Sequence, residues 1–251
     1  MDQNILTFNI DSEIYLKGRP KYPNELYESI VQNCMYTEIA WDCGCGNGQV
    51  SIDLVNHFKY IEATDINEKQ IENSFQDKNI RYTLQESENT NFIDEQFDLV
   101  CAAQCIHWFD LQKYFKEVKR VLKPQGIFAC WGYSFFSINN EIDKIVEDNL
   151  LHPINQYWSE RNRILHNHYN EIEFPFAKVD LPNIQMNMIW NVDELLCYLS
   201  TWSAVKLYNE QHNSSIIRNL KEQLKNIWND TDKQEEKWTS LYIWEKIKNI
   251  A

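Results

Sequence analysis

Glycine and proline are scarce in this sequence, at six of each in 251 residues, and basic side chains are outnumbered. No stretch approaches the roughly 18 continuous apolar residues of a membrane-spanning helix, so no membrane partner is expected. Against 24 Lys and Arg stand 37 Asp and Glu, for a net charge of −13. Such a chain repels a phosphate backbone, which excludes nucleic acid as an expected partner.

The N-terminus and the cysteines show two further absences. Residues Met1–Asn4 contain neither a basic region nor an apolar one, so no secretory signal is predicted and a cytoplasmic chain is expected. The seven cysteines are odd in number, and several lie in apolar, strand-like runs. We therefore expect free thiols. Since no CxxC spacing occurs, we expect no metal site.

Aromatic residues are abundant: nine Trp, thirteen Tyr and twelve Phe exclude a disordered chain. A chain of this length buries roughly 70–75% of the surface exposed when unfolded, enough for a core without disulfides. Short apolar runs then alternate with helix-like segments. The predicted strands are 38–43, 60–65, 80–84, 97–103 and 127–131. The predicted helices are 24–34, a stretch after Gly48, 67–76 and 110–122, with Pro124–Gly126 as a turn.

This alternation predicts the α/β class, with a doubly wound, mostly parallel sheet and helices on both faces. Beyond residue 133 the rhythm changes. Helical patterns occur at 141–151, 193–209 and 214–228, an irregular aromatic stretch at 152–191, and a last strand-like run at 239–244. We therefore expect added C-terminal helices on a single domain.

Three of the six glycines fall within five residues, as Gly44, Gly46 and Gly48, between a predicted strand and a predicted helix. Glycines there let backbone N–H groups and a helix N-terminus approach a ligand closely. Asp65, at the end of the next predicted strand, is placed to accept hydrogen bonds from ribose hydroxyls. The dinucleotide pattern would need a third glycine at Gln49, which disfavours a nicotinamide cofactor.

Residues 41–48, with Asp65, resemble the first motif and ribose-binding acid of class I S-adenosylmethionine-dependent methyltransferases, a Rossmann-like family. The likeness continues through 87–92, 97–100 and 121–126. It implies S-adenosylmethionine as the cofactor. Tyr15 with 19–23, and then 103–109 and 199–205, are similar to the trans-aconitate methyltransferase group, whose members act on small carboxylic acids or other small metabolites.

This resemblance implies cofactor contacts from the N-terminal segment, the glycine turn and the strand ends. The implied residues are Tyr15, Arg19, Asp42, Gly44, Gly46, Gly48, Asp65, Ile66, Ser87, Glu88 and Gln104. Tyr15 and Arg19 could equally belong to an ordinary helix entry held by Pro20 and Pro23. We expect a single domain made of an N-terminal cap (1–35), a cofactor-binding core (36–133), helical substrate-side additions (134–238) and a terminal strand (239–251).

His107 is the candidate catalytic residue, at the mouth of the predicted sheet where ligands bind. It either removes a proton or hydrogen-bonds the acceptor, and a carboxylate acceptor needs no base because it is already ionised. The candidate substrate-binding residues are Trp108, Trp131, Tyr133 and Arg161. Phe109 is predicted to anchor the next helix in the core. Arg161, with Arg163, either binds an acceptor carboxylate or lies on a solvated helix face.

The sequence therefore predicts an S-adenosylmethionine-dependent methyltransferase acting on a small metabolite, carboxylate-bearing or hydrophobic. Two alternatives remain open. One is a nucleoside-binding but catalytically idle sensor or partner subunit, and the other is a nicotinamide-dependent oxidoreductase.

Overall fold

The computed structural model describes residues 19–178, 184–228 and 232–246. They are organised in two compact units, and each is described by itself. The sheet unit takes its described residues from 22–134, 164–184 and 240–251, and the helical unit takes its own from 1–21, 135–163 and 185–239.

The sheet unit is built on a parallel sheet. Its strands are β1 (Ile39–Cys43), β2 (Tyr60–Asp65), β3 (Ile80–Leu84), β4 (Phe97–Ala103) and β5 (Leu122–Ser137, whose last residues belong to the helical unit). Its helices are α1 (Asn24–Asn33), α2 (Gln49–Leu54), α3 (Glu68–Glu72) and α4 (Leu111–Val121). The strand order β3-β2-β1-β4-β5 is parallel throughout. The predicted α/β class is confirmed.

Both faces of this sheet are covered, as a doubly wound fold requires. On one face α4 packs its apolar stripe, including Tyr114 and Val118, against Trp41 and Phe128. On the other face α1 and α2 pack against β-strand residues that include Trp131. Because ligands of such folds bind at the carboxyl ends of the strands, this edge positions the site.

Two predictions in the sheet unit differ from the structure. Helix α3 ends at Glu72, well short of the predicted end at 76, because it buries no side chain that would stabilise a longer helix. The predicted turn at Pro124–Gly126 lies instead inside β5. The pairing of β4 with β5 shifts register between Phe97 and Leu99, and this irregularity accommodates the extra residues without ending the strand.

The helical unit contains most of the chain beyond β5. Its helices are α5 (Asn140–Val146, continuing through a π-helical turn at Glu147–Leu151 and a short turn at His152–Ile154), α6 (Glu160–His166), α7 (Val192–Ser200), α8 (Ser203–His212) and α9 (Ile216–Leu224). The last residues of α6 belong to the sheet unit. The remaining strands are β6 (Ala177–Lys178) of the sheet unit, β7 (Met186–Trp190) of the helical unit, and β8 (Gln234–Lys246), whose residues from 240 onward belong to the sheet unit. Both β6 and β7 pair antiparallel with β8, at its end and its start.

The single helix predicted over 193–209 is wrong, because the structure has two helices, α7 and α8. The hydroxyls of Ser200 and Thr201 donate to backbone carbonyls at the end of α7, and Trp202 is extended. Such side-chain bonds compete with helix continuation. The region 152–191, expected to be irregular, contains α6, β6 and β7, and the last strand is longer than predicted.

All seven cysteines lie among the described residues and none forms a disulfide, as predicted. Where the chain is described, no helix is long and apolar enough to cross a membrane. The single-domain assignment and its internal boundaries remain a prediction.

Candidate active site

The glycine turn between β1 and α2 is left-handed at all three glycines, with φ of +60° at Gly44, +55° at Gly46 and +81° at Gly48. A Cβ added at Gly44 would lie 3.0 Å from the Cβ of Cys105, and one at Gly48 would collide with the Tyr82 hydroxyl. Beside Gly46 the nearest atom would be 3.9 Å away. Close packing therefore requires glycine at 44 and 48, whereas the space beside Gly46 is open to a ligand.

Asp65 closes this turn from the end of β2. Its Oδ2 accepts a 2.8 Å hydrogen bond from the Gly46 N–H, and its Oδ1 accepts one of 2.8 Å from the Asn67 N–H. Burial raises the pKa of Asp65, and these backbone donors oppose the rise. A carboxylate has about four acceptor positions, so positions stay available to ligand hydroxyls.

Asp42 lies beneath the turn, at the end of β1, and is buried. Its Oδ2 accepts a 2.6 Å hydrogen bond from the Ser51 hydroxyl on α2, and its Oδ1 accepts one of 3.8 Å from the Cys101 thiol on β4. Burial raises the pKa of Asp42 to about 7, against the lowering effect of these two donors. Its ionisation is therefore poised near neutral pH, where a nearby cation would favour the carboxylate.

The residues predicted to border ribose and adenine follow β2 and β3. Ile66 is 59% exposed and Ser87 is buried. The Oε1 atom of Glu88 accepts a 2.8 Å hydrogen bond from the Asp110 N–H, at the N-cap of α4. Glu88 thus joins its loop to α4.

Gln104 directly follows β4 and has a left-handed backbone, at φ +57°. Its side-chain amide is paired with one backbone residue: Nε2 donates to the Tyr133 carbonyl at 3.0 Å, and Oε1 accepts from the Tyr133 N–H at 3.1 Å. This bidentate contact ties the end of β4 to β5. Gln104 therefore shapes the edge of the site through Tyr133.

His107 lies in a single 3-10 turn, Ile106–Trp108, directly after this kink, and is buried. Its Nδ1 is 3.2 Å from the Tyr169 hydroxyl oxygen, and the two rings lie 6.0 Å apart. Trp108 is partly buried, with its ring 5.1 Å from that of His107. Phe109 packs 4.6 Å from the Tyr114 ring in the core, which confirms its predicted anchoring role.

Tyr169 reaches His107 from the turn that ends α6. The Tyr169 N–H donates to the Ile164 carbonyl at 3.0 Å and the His168 N–H donates to the Leu165 carbonyl at 2.9 Å, the pattern of a Schellman motif. His168 and Tyr169 both adopt φ of +55°. Non-glycine residues adopt this conformation at a cost of about 1–2 kcal/mol each, so surrounding packing must hold the turn in place.

Trp131 and Tyr133 lie on β5, opposite and just beyond the end of β4, and both are buried. The Tyr22 ring contacts both, at 5.7 Å and 6.0 Å between ring centres. The Trp131 indole N–H has no hydrogen-bond partner among the described residues. A buried, unpaired donor is costly, and a polar group of a ligand could satisfy it.

The remaining predicted residues fall elsewhere. Tyr15 lies outside the described residues, and Arg19 and Arg161 belong to the helical unit. The Arg19 guanidinium carbon is 5.8 Å from the centre of the Tyr198 ring. Arg161 is partly buried, whereas Arg163 is exposed and pairs with Glu160 at 3.3 Å. The solvated-face alternative therefore holds for Arg163.

Sequence reasoning missed Ser51, Tyr82 and Tyr169. Ser51 follows the glycine turn closely and could have been suggested as a partner for a buried acid. Tyr82 occupies the space that Gly48 leaves, and no local pattern signals either Tyr82 or Tyr169. Across the described ranges, no group of three or more His, Cys, Asp or Glu side chains could hold a metal ion.

Known proteins are similar to this chain in sequence and in fold. Residues 41–130 match a family model described as a methyltransferase domain. A Dictyostelium discoideum protein named as a methyltransferase is 28% identical over 229 residues, which cover 90% of this chain and 87% of that protein. A solved structure from Anaeromyxobacter dehalogenans, described as a type II methyltransferase, has a TM-score of 0.84 at 27% identity and covers 91% of this chain and 97% of its own.

CRG1 of Saccharomyces cerevisiae, named as an S-adenosylmethionine-dependent methyltransferase, is 32% identical over 137 residues. The match covers 51% of this chain and 47% of CRG1, so this chain matches about half the length of that relative. The fold, the glycine turn and these relatives make the chain similar to class I S-adenosylmethionine-dependent methyltransferases, with residues 41–130 as the matched methyltransferase domain.

Proposed function

We propose that this methyltransferase acts on a small metabolite that combines a carboxylate with an apolar body. The observation that carries the acceptor class is a set of aromatic rings and cations in the helical unit of an otherwise acidic chain. We call it the aromatic-cation cluster, and its members are Arg19, Trp158, Tyr198, Trp202 and Lys206.

Ring contacts hold this cluster together. The Trp202 ring lies 5.5 Å from that of Trp158 and 5.6 Å from that of Tyr198, which also lies beneath Arg19. Burial lowers the pKa of Lys206, and the Arg19 guanidinium lowers it further. Glu210 acts in the opposite direction and raises the pKa of Lys206. We propose that the cations at this cluster bind the carboxylate of the acceptor and that the rings bind its apolar part. Arg161, on α6 in the same unit, is the third cation that we propose for acceptor binding.

The residues of the glycine turn fit S-adenosylmethionine. Gly44, Gly46 and Gly48 would hold its methionine moiety above Asp42, and the open space beside Gly46 supports this proposal. Asp65 and Ile66 would hold the ribose, because the Asp65 carboxylate keeps hydrogen-bond acceptor positions available. Ser87 and Glu88 would border adenine. Tyr15 and Arg19 would contact the cofactor from the N-terminal segment, and Gln104 would lie near the sulfonium.

When bound, the cofactor supplies an electrophilic methyl group on a sulfonium. The chain then has to orient the acceptor in line with the carbon–sulfur bond, and effective molarities for such orientation correspond to about 7–11 kcal/mol. His107, Trp108, Trp131 and Tyr133 would line the acceptor side. Attack by a carboxylate on a sulfonium neutralises both charges, so a dry aromatic wall favours the transition state over the separated ions.

The test is transfer of tritium from methyl-labelled S-adenosylmethionine into a mixture of small carboxylic acids. The control is a mixture of the methyl esters of the same acids. We expect label in the acids alone. Lys206→Met should raise KM for the accepted acid about tenfold without changing affinity for S-adenosylhomocysteine. The matched control is Arg163→Gln, which removes an exposed cation from the same unit. If no acid were labelled, or if the KM of Lys206→Met equalled that of the unmodified enzyme, the proposed acceptor class would be rejected.

A catalytically idle, nucleoside-binding subunit would bind S-adenosylhomocysteine and label nothing in any metabolite extract. That outcome would support the proposed cofactor site and reject the proposed methyltransferase activity.

A further inference from the structure

We infer that Tyr169 is a positioning residue that holds His107 in the tautomer with its proton on Nε2, so that His107 donates a hydrogen bond to the acceptor and removes no proton from it. This inference deepens the proposed function and rests on the proposed place of His107 at the acceptor. It selects between the two roles that the sequence left open.

The argument starts from the Tyr169 hydroxyl, which is buried. In the described part of the chain, the one hydrogen-bond partner of this hydroxyl is His107 Nδ1, at 3.2 Å. Burial raises the pKa of Tyr169 well above its usual value, so the hydroxyl keeps its hydrogen at neutral pH. That hydrogen needs an acceptor, because buried polar hydrogens are almost always paired.

Only one assignment of protons satisfies this contact. If Nδ1 carried a hydrogen, it would donate to the tyrosine oxygen and leave the hydroxyl hydrogen of Tyr169 without an acceptor. If Nδ1 carries a lone pair, it accepts from Tyr169 and both groups are satisfied. A neutral imidazole with a lone pair on Nδ1 has its proton on Nε2. The same argument disfavours the imidazolium form, in which both nitrogens are donors.

The surrounding backbone is arranged for this contact. Tyr169 follows a helix end where His168 and Tyr169 both adopt φ of +55°, a conformation that non-glycine residues rarely take. A Cβ on Gly132 would lie 3.0 Å from the Tyr169 hydroxyl and 2.6 Å from Gln104 Oε1. The absence of a side chain at Gly132 therefore makes room for the hydroxyl next to β5. Strain that persists in this way is typical of functional sites.

The chemical consequence concerns the acceptor. An Nε2–H group has no lone pair with which to take a proton, so methyl transfer beside it suits an acceptor that loses none. A carboxylate meets this condition: its oxygen lone pair forms the bond to the methyl carbon, and the electron pair of the carbon–sulfur bond remains on sulfur. The products are a methyl ester and a neutral thioether, and no proton moves. A neutral alcohol or an ammonium group would have to lose a proton elsewhere.

The first experiment reads the tautomer directly. Protein labelled with ¹⁵N at its six histidines is observed by NMR without cofactor or acceptor, and His107→Gln assigns the resonances. We expect a neutral His107 with the proton on Nε2 at pH 8. In Tyr169→Phe the ring is kept and the hydroxyl lost, and we expect a mixture of tautomers. The matched control is Tyr114→Phe, since Tyr114 is a buried tyrosine of the same core.

An Nδ1–H tautomer, an imidazolium, or a Tyr169→Phe spectrum equal to that of the unmodified protein would overturn the inference. Because this measurement needs no acceptor, it separates failure of the inference from failure of the proposed function, which the transfer assay tests. Circular dichroism of both Phe variants shows that they fold.

The second experiment uses the acid identified by the transfer assay. The amide nitrogen of Gln can replace Nε2–H, whereas that of Asn lies nearer the position of Nδ1. His107→Gln should therefore retain a rate within about tenfold of the unmodified enzyme, the effect of one neutral hydrogen bond, and His107→Asn should be slower. The rate should be flat above pH 6. An inflection between pH 6 and 7.5 that His107→Gln abolishes, with a loss of about a hundredfold, would identify a base instead.

Discussion

Asp65 is the residue whose substitution tests cofactor binding most directly. Replacing it with Ala removes the acceptor for the Gly46 N–H and for any ribose hydroxyl. Charge-assisted hydrogen bonds contribute about 1.5–3 kcal/mol each, so affinity for S-adenosylhomocysteine should fall by at least tenfold. Titration calorimetry measures this loss.

Asp77 offers a matched control for that substitution. Its Oδ1 accepts a 2.8 Å hydrogen bond from the Asn79 N–H, the same local turn contact that Asp65 makes with Asn67. Asp77→Ala should lower stability slightly and leave affinity unchanged. Equal affinities of the Asp65 and Asp77 variants would contradict the ribose assignment.

The buried carboxyl group of Asp42 should make the stability of the fold depend on pH. Burial raises its folded-state pKa to about 7, above the value of about 3.9 in an unfolded chain. Between these two values the folded protein binds more protons than the unfolded one, so the free energy of unfolding falls as pH rises, by up to about 1.4 kcal/mol per pH unit. From pH 5 to pH 7 the contribution of Asp42 should fall by about 2 kcal/mol. Its stability contribution is therefore greatest at acidic pH.

Urea unfolding of the unmodified protein and of Asp42→Asn at both pH values measures this contribution, because subtraction removes the effect of other groups. The amide of the variant cannot ionise, so the difference in unfolding free energy between the two proteins should change with pH. A constant difference would mean that Asp42 ionises normally.

Among the elements, the glycine turn allows the cost of backbone strain to be measured separately from the cost of a side-chain collision, by substitutions at Gly46 and Gly48. Ala at Gly46 places Cβ in open space, so the left-handed backbone alone should cost about 1 kcal/mol. Ala at Gly48 meets the Tyr82 side chain as well and should cost more than twice as much. Urea unfolding of the two variants checks the order, and the opposite order would show that this packing is wrong.

The helix end before Tyr169 predicts a stabilising substitution. His168 occupies the C′ position of α6, where glycine is usual, so His168→Gly should stabilise the fold by about 0.5–1 kcal/mol. Asn213, with φ of +47° after α8, is the comparison: Asn tolerates this conformation, and Asn213→Gly should be nearly neutral. Thermal unfolding of both variants measures the difference. A destabilised His168→Gly would show that the imidazole makes contacts that outweigh the strain.

The elements also show what the sequence could predict. The glycine turn, Asp65 and the five parallel strands depend on local pattern, and the sequence predicted them because periodicity and glycine spacing act over a few residues. The contact of His107 with Tyr169 joins residues 62 positions apart and leaves no local signal. The end of α7 depended on two hydroxyls that bond to backbone carbonyls, a competition that apolar periodicity cannot register.

For the whole molecule, no residue cluster suited to a metal ion occurs in the ranges described, so methyl transfer should persist in excess EDTA. The assay is tritium transfer with and without chelator. If EDTA abolished transfer and Mg²⁺ restored it, a metal would be positioning the acceptor oxygen, and the acceptor class would change.

The cofactor that the whole chain binds can also be identified from the shift in its melting temperature, Tm. A ligand that binds only the folded state stabilises it by RT ln(1 + [L]/Kd), about 2.7 kcal/mol at a hundred times Kd. For a chain of this size each kcal/mol raises Tm by about 2–4 °C, so S-adenosylhomocysteine should raise Tm by about 5–10 °C. NAD should leave Tm unchanged, because Gln49 occupies the position where the dinucleotide pattern needs glycine. Asp65→Ala should lose most of the shift at the same ligand concentration, which ties the global effect to the ribose contact. A larger shift with NAD than with S-adenosylhomocysteine would assign the glycine turn to a nicotinamide cofactor.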